Sequence, residues 1–326
     1  MNKKIKSVVT CREYVKHPSY HIVFEWEDVF KELLNVNFES KNILKQFYFN
    51  KFTGGLLSNL KTKKFAIKDE LKILFLMNAT YARYMFDKGS YLPIIIDFWK
   101  QDESFLTSFP KDTFFLINNL EGVNLLRSKG FTKCFYFPLS ISDKYLNKTI
   151  PPKTIDVIQI GRKNQMLTNY MQKFLIENPN IEYLEQKFID NKFYYVSSKS
   201  NKLFDANDRK KYMELVGKSK ISLVSSPGCD SIDRTGGFDP LTPRFLESAI
   251  QYCSMLGRYS NNDDFNNLKI SSVCENIKSY EQFEFSLSKR LKEDFEQKEV
   301  YDTFINNNLT SKRVAELKKL LEINSN

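Results

Sequence analysis

The sequence is poor in the residues that build metal centres, disulfide frameworks and membrane spans. Its 326 residues include only two histidines, and its five cysteines are odd in number, widely spaced and free of any Cys-x-x-Cys pair. Such a supply argues against a zinc site and against a disulfide scaffold. No apolar run approaches the roughly 20 residues that cross a bilayer, and the basic amino terminus lacks the apolar segment of a signal peptide. We therefore expect a cytoplasmic protein.

The sequence is rich in hydrophobic residues and carries a net positive charge. Hydrophobic residues make up 42% of the chain, and the 326 residues suit two domains of about 150 residues each. The net charge of +10 favours an anionic partner, whether nucleic acid, lipid or a phosphorylated substrate. The run Arg209-Lys210-Lys211 follows Asp208, a predicted N-cap, so we predict a solvated helix face there. No basic stripe interleaved with aromatics is present, so we expect no nucleic-acid partner.

Short apolar runs alternate with helical patterns, which predicts parallel sheets covered by helices, an α/β fold. The predicted strands of the first half are residues 5–11, 71–77, 92–99, 113–118 and 133–139, and those of the second half are 155–160, 181–184, 193–196, 221–225 and 255–257. The predicted helices include residues 26–35, 81–88, 120–129, 280–296 and 310–321. A polar stretch at residues 140–154, with two adjacent prolines, separates the halves. We predict domains over residues 1–145 and 146–326.

A glycine-rich loop runs straight into a predicted helix at residues 236–249. Gly237 and its glycine neighbour bend the loop, Thr242 is the predicted N-cap, and Pro243 suits the first helical turn. Backbone N–H groups at such a helix start, together with the helix dipole, attract a phosphate group. The segment therefore predicts an anion site, and the alternative is a tight turn into an amphipathic helix.

Two acids flank this helix start, Asp239 before it and Glu247 within the helix, with seven residues between them. Both carboxylates can accept hydrogen bonds from hydroxyl groups, and Arg244 can meet a diphosphate with its forked guanidinium. A phosphate that carries a polyol matches this mixture of groups. The alternative is a surface ion pair between Arg244 and Glu247, about one helical turn apart.

A second basic turn follows an apolar alternating run over residues 155–160. The run ends in Gly161, and two cations, Arg162 and Lys163, come directly after it. Ligands of open α/β sheets bind at the carboxyl ends of the strands, where this turn is predicted to lie. Taken alone, the turn is also compatible with a solvated basic loop.

The two segments, in this order, resemble nucleotide-sugar-dependent glycosyltransferases of the GT-B fold, of the group 1 type found in bacterial surface polysaccharide synthesis. Asp239 and Glu247 stand at the two acidic positions of the Glu-x7-Glu region of that family, the first with an aspartate in place of glutamate. Gly161, Arg162 and Lys163 resemble the turn after the first strand of the carboxyl-terminal domain. The resemblance covers roughly residues 110–320 at the level of pattern.

The resemblance implies two Rossmann-like domains with a cleft between them. Residues 1–145 would form the acceptor side, and residues 146–326 would bind the donor and carry closing carboxyl-terminal helices. It implies that Glu247 binds the nucleotide ribose, that Asp239 binds the donor sugar and that Arg162 grips the donor phosphates. The implied donor-binding residues are Gly161, Lys163, Gly237, Asp239, Thr242 and Glu247, and the implied catalytic residues are Arg162 and Arg244, which stabilise charge on the leaving diphosphate.

The implied reaction moves a sugar, of hexosyltransferase type, from a nucleotide sugar to an acceptor hydroxyl, with no cofactor beyond the donor. The implied acceptor is a glycan or a lipid-linked glycan, met at the inner face of an anionic membrane to which the protein binds peripherally. Two other functions remain open. One is a phosphosugar or polyol-phosphate transferase on the same scaffold, and the other is a non-catalytic binder of nucleotide or nucleic acid.

A general base is required near the acceptor if the enzyme inverts the anomeric configuration, and not at the same place if it retains it. The residues after the first predicted strand are the candidates, because they lie at the carboxyl-end face of the predicted sheet. They are His17, His21, Glu25, Glu27 and Asp28. For each of them a turn, a helix cap or a solvated position is the competing interpretation.

The sequence contains no Asp-x-Asp pair, and arginine side chains are available to neutralise a diphosphate. We therefore predict that turnover survives an excess of chelator, measured as release of nucleoside diphosphate before and after treatment. Turnover that disappears and then returns on addition of magnesium or manganese would contradict this prediction.

Overall fold

The structure is a computed structural model, which describes residues 4–41, 69–77, 79, 90–99, 109, 111–200, 202–205, 207–230 and 232–323. The chain forms two compact units. Unit 1 comprises Met1–Ser142, Thr235–Pro240 and Thr310–Asn326, and unit 2 comprises Asp143–Arg234 and Leu241–Leu309. The chain therefore does not divide at a single point, because a short internal segment and the last helix both pack with the amino-terminal residues.

The described residues of unit 1 form a six-stranded sheet with the strand order β2-β1-β3-β4-β5-β6. Every neighbouring pair of strands is parallel. The strands are β1 (Lys4–Thr10), β2 (Asn37–Ser40), β3 (Glu70–Leu76), β4 (Tyr91–Ile95), β5 (Phe115–Ile117) and β6 (Cys134–Tyr136). The described helices of this unit are α1 (His21–Leu34), α2 (Leu120–Ser128) and α11 (Thr310–Ile323).

Apolar side chains on both faces of this sheet explain the parallel pairing, since parallel sheets are covered on both sides. On one face, Trp26 and Phe30 of α1 are fully buried and pack edge-on against Phe75 of β3. The indole Nε1 of Trp26 also donates a hydrogen bond of 3.0 Å to the carbonyl oxygen of Ser140. On the other face, α2 buries its apolar side against β5, and Val123 belongs to that core.

Unit 2 is built on a seven-stranded sheet with the strand order β10-β9-β8-β7-β11-β12-β13. The neighbouring strands β8, β7, β11, β12 and β13 all pair in parallel. At the other edge, β9 pairs antiparallel with β8, and β10 pairs antiparallel with β9. The strands are β7 (Ile155–Gln159), β8 (Tyr183–Ile189), β9 (Lys192–Ser197), β10 (Leu203–Asp205), β11 (Ser219–Ser225), β12 (Ser254–Arg258) and β13 (Cys274–Asn276).

Helices cover both faces of the second sheet, as in a Rossmann-like unit. Val157 of β7 faces a core formed with the helices around Leu167 and Phe283, and the next residue, Ile158, faces a core formed with Leu215. The described helices are α3 (Gln165–Glu177), α4 (Arg209–Lys218), α5 (Pro227–Asp230), α6 (Ile232–Thr235), α7 (Pro243–Ile250), α8 (Asp263–Asn267), α9 (Tyr280–Lys292) and α10 (Lys298–Asn307).

The predicted fold class is confirmed, because both units are α/β with largely parallel sheets. All ten predicted strands are present within a few residues. The short edge strands β2, β10 and β13 and the helix α10 were not predicted. The predicted helix at residues 81–88 lies outside the described residues. Among the described residues, no helix is both long and apolar enough to span a bilayer.

Gly257, in the middle of β12, leaves no room for a side chain. A Cβ atom there would lie 2.6 Å from Sγ of Cys274 on β13 and 3.3 Å from Cγ2 of Val224 on β11. We therefore expect Gly257→Ala to destabilise the protein by about 1–3 kcal/mol, which is typical of overpacking in a dense core. The midpoint of urea unfolding measures the effect.

The matched control is the same substitution in a Cys274→Ala background, where the smaller neighbour makes room for the new methyl group. There Gly257→Ala should lower the midpoint by less than it does in the native background. Equal losses in the two backgrounds would contradict the steric explanation.

Candidate functional site

The candidate site lies in unit 2, where β7 and β11 end. The two strands are parallel neighbours, with Ile221 beside Val157 and Leu223 beside Gln159. Their carboxyl ends therefore meet at one edge of the sheet, where ligands of open α/β sheets bind. The turn at Gly161 follows β7, and Ser225 ends β11.

Gly161 brings its backbone against the side chain of Arg244. Its φ angle is +67°, a left-handed conformation that favours glycine. A Cβ atom on Gly161 would lie 2.6 Å from Nε of Arg244, so the guanidinium packs directly over the turn. The N–H of Gly161 donates a hydrogen bond of 3.2 Å to the hydroxyl of the buried Tyr195. This turn is therefore fixed from both sides.

Arg244 joins the turn after β7 to the end of β11. Its Nη1 atom lies 3.5 Å from the carbonyl oxygen of Arg162 and 3.4 Å from that of Ser225. Arg244 is partly buried, whereas the side chain of Arg162 is exposed. The structure thus brings together four of the predicted residues, and they are Gly161, Arg162, Thr242 and Arg244.

Helix α7 begins where the sequence predicted, with Thr242 at the N-cap position and Pro243 in the first turn. The hydroxyl of Thr242 does not cap the helix. It donates instead to the carbonyl oxygen of Ser225, at 3.4 Å. The first-turn amides of α7 therefore receive no hydrogen bond from the N-cap side chain, and they lie beside Arg244 at the carboxyl edge of the sheet.

Glu247 lies one helical turn after Arg244, and its side chain is only 6% exposed. Its Oε1 atom forms an ion pair of 2.5 Å with Nη1 of Arg209, and its Oε2 atom accepts a hydrogen bond of 2.6 Å from the hydroxyl of Tyr212. Arg209 and Tyr212 belong to α4, which Asp208 caps as predicted. The ion-pair partner that the sequence suggested for Glu247 was Arg244, and the structure gives it Arg209.

The prediction of a solvated face for the whole run of residues 209–211 was wrong for Arg209. Its side chain is 16% exposed, because the guanidinium reaches inward to the Glu247 carboxylate. Lys210 on the same turn is 88% exposed, as predicted. The position of Arg209 at the very start of α4, beside an inward-facing tyrosine three residues later, is the one local signal that separates it from its neighbours.

The side chain of Lys163 is engaged by an acid of the neighbouring strand. Its Nζ atom forms an ion pair of 2.5 Å with Glu185 on β8. Burial by itself would raise the pKa of Glu185, but hydrogen bonds from Lys163 and Lys187 outweigh burial and lower it. The role of Lys163 in binding the donor phosphates stays a prediction.

Gly237 and Asp239 belong to unit 1 rather than to unit 2. The N–H of Asp239 donates a hydrogen bond of 2.8 Å to Oε2 of Glu121, at the start of α2. Gly237 has a φ angle of +95°, which a residue with a side chain rarely adopts. The two acids of the predicted Glu-x7-Glu region are therefore held by different units, and a donor-sugar role for Asp239 stays a prediction.

Glu27 stands out among the candidates for a general base. It lies on α1 and is buried, and its Oε2 atom accepts hydrogen bonds from the hydroxyl of Thr10 at 2.6 Å and from Arg12 at 3.0 Å. Burial raises the pKa of Glu27 to about 7, against the lowering effect of Thr10 and Arg12. A carboxyl group with such a pKa can exchange protons near neutral pH. His17, by contrast, caps a short 3₁₀ turn by accepting from the N–H of Ser19.

No protein-family model matches the sequence, and no curated protein does either. Solved structures do match it in fold. A mutant of T4 phage BGT in complex with UDP-glucose has a TM-score of 0.50, 12% identity and 98% coverage of both chains. AviGT4, a glycosyltransferase involved in avilamycin A biosynthesis, has a TM-score of 0.50 and 7% identity, and the match covers 98% of this chain and 97% of that one.

A third match is the pneumococcal O-GlcNAc transferase GtfA in complex with UDP and GlcNAc, with a TM-score of 0.44 and 11% identity. It covers 85% of this chain, and the chain spans only 60% of the length of that protein. At these low identities the likeness defines the fold. The protein has the GT-B fold, as the resemblance of its motifs predicted.

Among the side chains that the structure describes, no three of His, Cys, Asp and Glu come together in a group that could hold a metal ion. The site in unit 2 instead carries arginine side chains and a helix start at the place where a diphosphate is expected. A role of these groups in binding an anion stays a prediction.

Glu27 makes the stability of the fold depend on pH in a defined direction. The pKa of Glu27 in the folded protein is about 7, above the ordinary value of 4.5. As the pH rises, the folded state therefore keeps its proton to a higher pH than the unfolded state does. Stability from this group is fully present below about pH 4.5 and is lost as the pH rises through about 7. We expect Glu27→Gln to abolish this dependence, measured as the difference in unfolding midpoint between the two proteins across that range. Parallel curves for the two proteins would contradict the expectation.

Proposed function

We propose that the protein is a metal-independent glycosyltransferase that moves a sugar from a nucleoside diphosphate sugar to an acceptor hydroxyl. One observation carries the proposal. Arg244 packs over the Gly161 turn and contacts the carbonyl oxygen of Arg162, at the start of the helix that also carries Glu247. Phosphate-binding and hydroxyl-binding groups thus stand within one helical turn of each other, at the edge of the sheet where ligands bind.

The arginines address the main difficulty of the reaction, which is the charge on the leaving group. As the glycosidic bond breaks, negative charge grows on the diphosphate oxygen. The guanidinium of Arg244, the exposed side chain of Arg162 and the amides at the start of α7 stabilise that charge without a metal ion. Groups that are already in place before the reaction need no reorganisation, which is why their effect on the barrier is large.

The Glu247 carboxylate supplies the recognition of the nucleotide. It is the acidic side chain of α7, one turn beyond Arg244, and a carboxylate accepts hydrogen bonds from the hydroxyls of a ribose and repels a phosphate. The fold supports the same donor class, since T4 phage BGT, which shares it, is described in complex with UDP-glucose. Gly237, Asp239 and Lys163 complete the proposed set of donor-binding residues.

The proposed acceptor is a glycan or lipid-linked glycan of a bacterial surface polysaccharide, met at the cytoplasmic face of the membrane. The net charge of +10 supports peripheral contact with anionic lipid. Binding to vesicles that contain anionic lipid should weaken as salt is raised, because the attraction is screened within about 10 Å at 0.1 M salt.

A thermal-shift panel of nucleotides and nucleotide sugars tests the proposed donor class. A ligand present at about 100 times its dissociation constant stabilises the folded protein by about 2.7 kcal/mol. We expect a nucleoside diphosphate, and the sugar conjugate of the same nucleoside, to raise the unfolding temperature. Turnover that releases nucleoside monophosphate would identify a phosphosugar transferase instead, and stabilisation by nucleic acid alone would reject the enzyme.

Arg162→Ala and Arg244→Ala should each lower kcat about 100-fold or more, and should change the KM for the donor less. The reason is that both side chains meet charge that develops mainly in the transition state. Steady-state kinetics with the nucleotide sugar identified by the panel measures both constants.

Lys210→Ala is the matched control, because it removes a cation of the same unit whose side chain is 88% exposed. Its kinetic constants should equal those of the native protein. Near-normal kcat in Arg244→Ala would show that Arg244 only packs against the turn and has no part in stabilising the diphosphate.

A further inference from the structure

We infer that Arg209 and Tyr212 are positioning residues that present the Glu247 carboxylate to the two adjacent hydroxyl groups of the nucleotide ribose. The inference rests on the proposed function, and it concerns the specificity of the same site. Neither residue was assigned to the site from the sequence, and the geometry around Glu247 carries the argument.

Each oxygen of the Glu247 carboxylate receives one donor from α4. Arg209 donates to Oε1 at 2.5 Å and Tyr212 donates to Oε2 at 2.6 Å. The two donors stand three residues apart on one helix, so they lie on the same face, one turn from each other. Because both oxygens are held, the carboxylate can neither swing nor rotate about its terminal bond.

The number of acceptor sites that remain matches a vicinal diol. An ionised carboxylate offers about four lone-pair sites, two on each oxygen. Arg209 uses one site on Oε1 and Tyr212 uses one on Oε2. One site is left on each oxygen, and the two hydroxyls of a ribose can donate to them together. A deoxyribose or a phosphate offers no such pair of donors.

The positioning groups are themselves fixed by packing. The guanidinium of Arg209 lies over the ring of Tyr145 at 5.6 Å and over that of Tyr212 at 5.3 Å. The ring of Tyr212 lies 6.2 Å from that of Tyr195, whose hydroxyl accepts the N–H of Gly161. Burial, together with the nearby Glu247 carboxylate, raises the pKa of Tyr212 well above its ordinary value, so its hydroxyl keeps the proton that it donates. The ribose subsite and the phosphate turn are therefore parts of one packed cluster.

The test compares ribonucleotides with 2′,3′-dideoxyribonucleotides by titration calorimetry. UDP, GDP, ADP and CDP are each measured beside the dideoxy counterpart, on the native protein and on Tyr212→Phe, Arg209→Lys and Glu247→Ala. The native protein should bind one ribonucleotide more tightly than its dideoxy form. Tyr212→Phe and Arg209→Lys should lose about 10-fold in affinity for the ribonucleotide and little for the dideoxy form, because the carboxylate is then no longer held in place for the two hydroxyls. Glu247→Ala should abolish the preference.

With the nucleotide sugar as substrate, the same variants should raise the KM for the donor while kcat changes less, because the ribose does not gain charge in the transition state. Tyr170→Phe is the matched control, since the ring of Tyr170 packs against Tyr280 in the same unit. It should leave both affinities unchanged. Unfolding midpoints are recorded for every variant, and Tyr212→Phe carries the test if Arg209→Lys does not fold.

The outcomes separate this inference from the proposed function. If the native protein binds none of the nucleoside diphosphates, the proposed function fails and the inference fails with it. If it binds one of them but Tyr212→Phe weakens the ribonucleotide and the dideoxy form equally, the proposed function stands and the positioning role is overturned. A preference for ribose that survives in Glu247→Ala would likewise overturn it, because the diol would then be recognised elsewhere.

Discussion

The parallel pairing of β7 with β11 is the interaction on which the candidate site depends. The register places Leu223 beside Gln159, so both strands end at the same edge of the sheet. Only then can one side chain, Arg244, reach the carbonyl oxygens of Arg162 and Ser225 together. A slip of one residue would turn every side chain of the strand to the opposite face, so Val157 and Ile158 would lose the separate cores in which they pack.

The central strands could be predicted from the sequence because they are short runs of consecutive apolar residues. A run such as Ile73–Leu76 is buried throughout, and few structures other than a covered parallel strand bury so short a segment completely. The edge strand Asn37–Ser40 carries no such signal. It is polar and partly exposed, and it is a strand because β1 offers it a row of hydrogen-bonding groups. Its conformation follows from tertiary pairing, which a local pattern does not contain.

The candidate site likewise combines features that follow from local sequence with features that follow from tertiary packing. The start of α7 at Thr242 and the turn at Gly161 are local features, since an N-cap residue followed by proline and a glycine after an apolar run each define their own backbone. The partner of Glu247 is not local. Arg209 lies 38 residues earlier, in a run of cations that is typical of a solvated face, and only the packing of α4 against α7 turns that one cation inward. The placement of Asp239 against Glu121 in unit 1 is also tertiary, since Glu121 lies 118 positions earlier in the chain.

Two buried carboxylates in this protein receive the same kinds of donor and are prepared for different chemistry. In Glu27, a single oxygen, Oε2, accepts both hydrogen bonds, one from the hydroxyl of Thr10 and one from the guanidinium of Arg12. The other oxygen can carry a proton, and burial brings the pKa of the group to about 7. Glu247 takes one donor on each oxygen, from Arg209 and Tyr212, so each oxygen keeps a lone pair directed away from its donor. The first arrangement suits a group that exchanges a proton, and the second suits a group that holds two hydroxyls at once. Burial, which raises the pKa of Glu27, therefore prepares that group for proton exchange, and the placing of one donor on each oxygen prepares Glu247 to hold two hydroxyls.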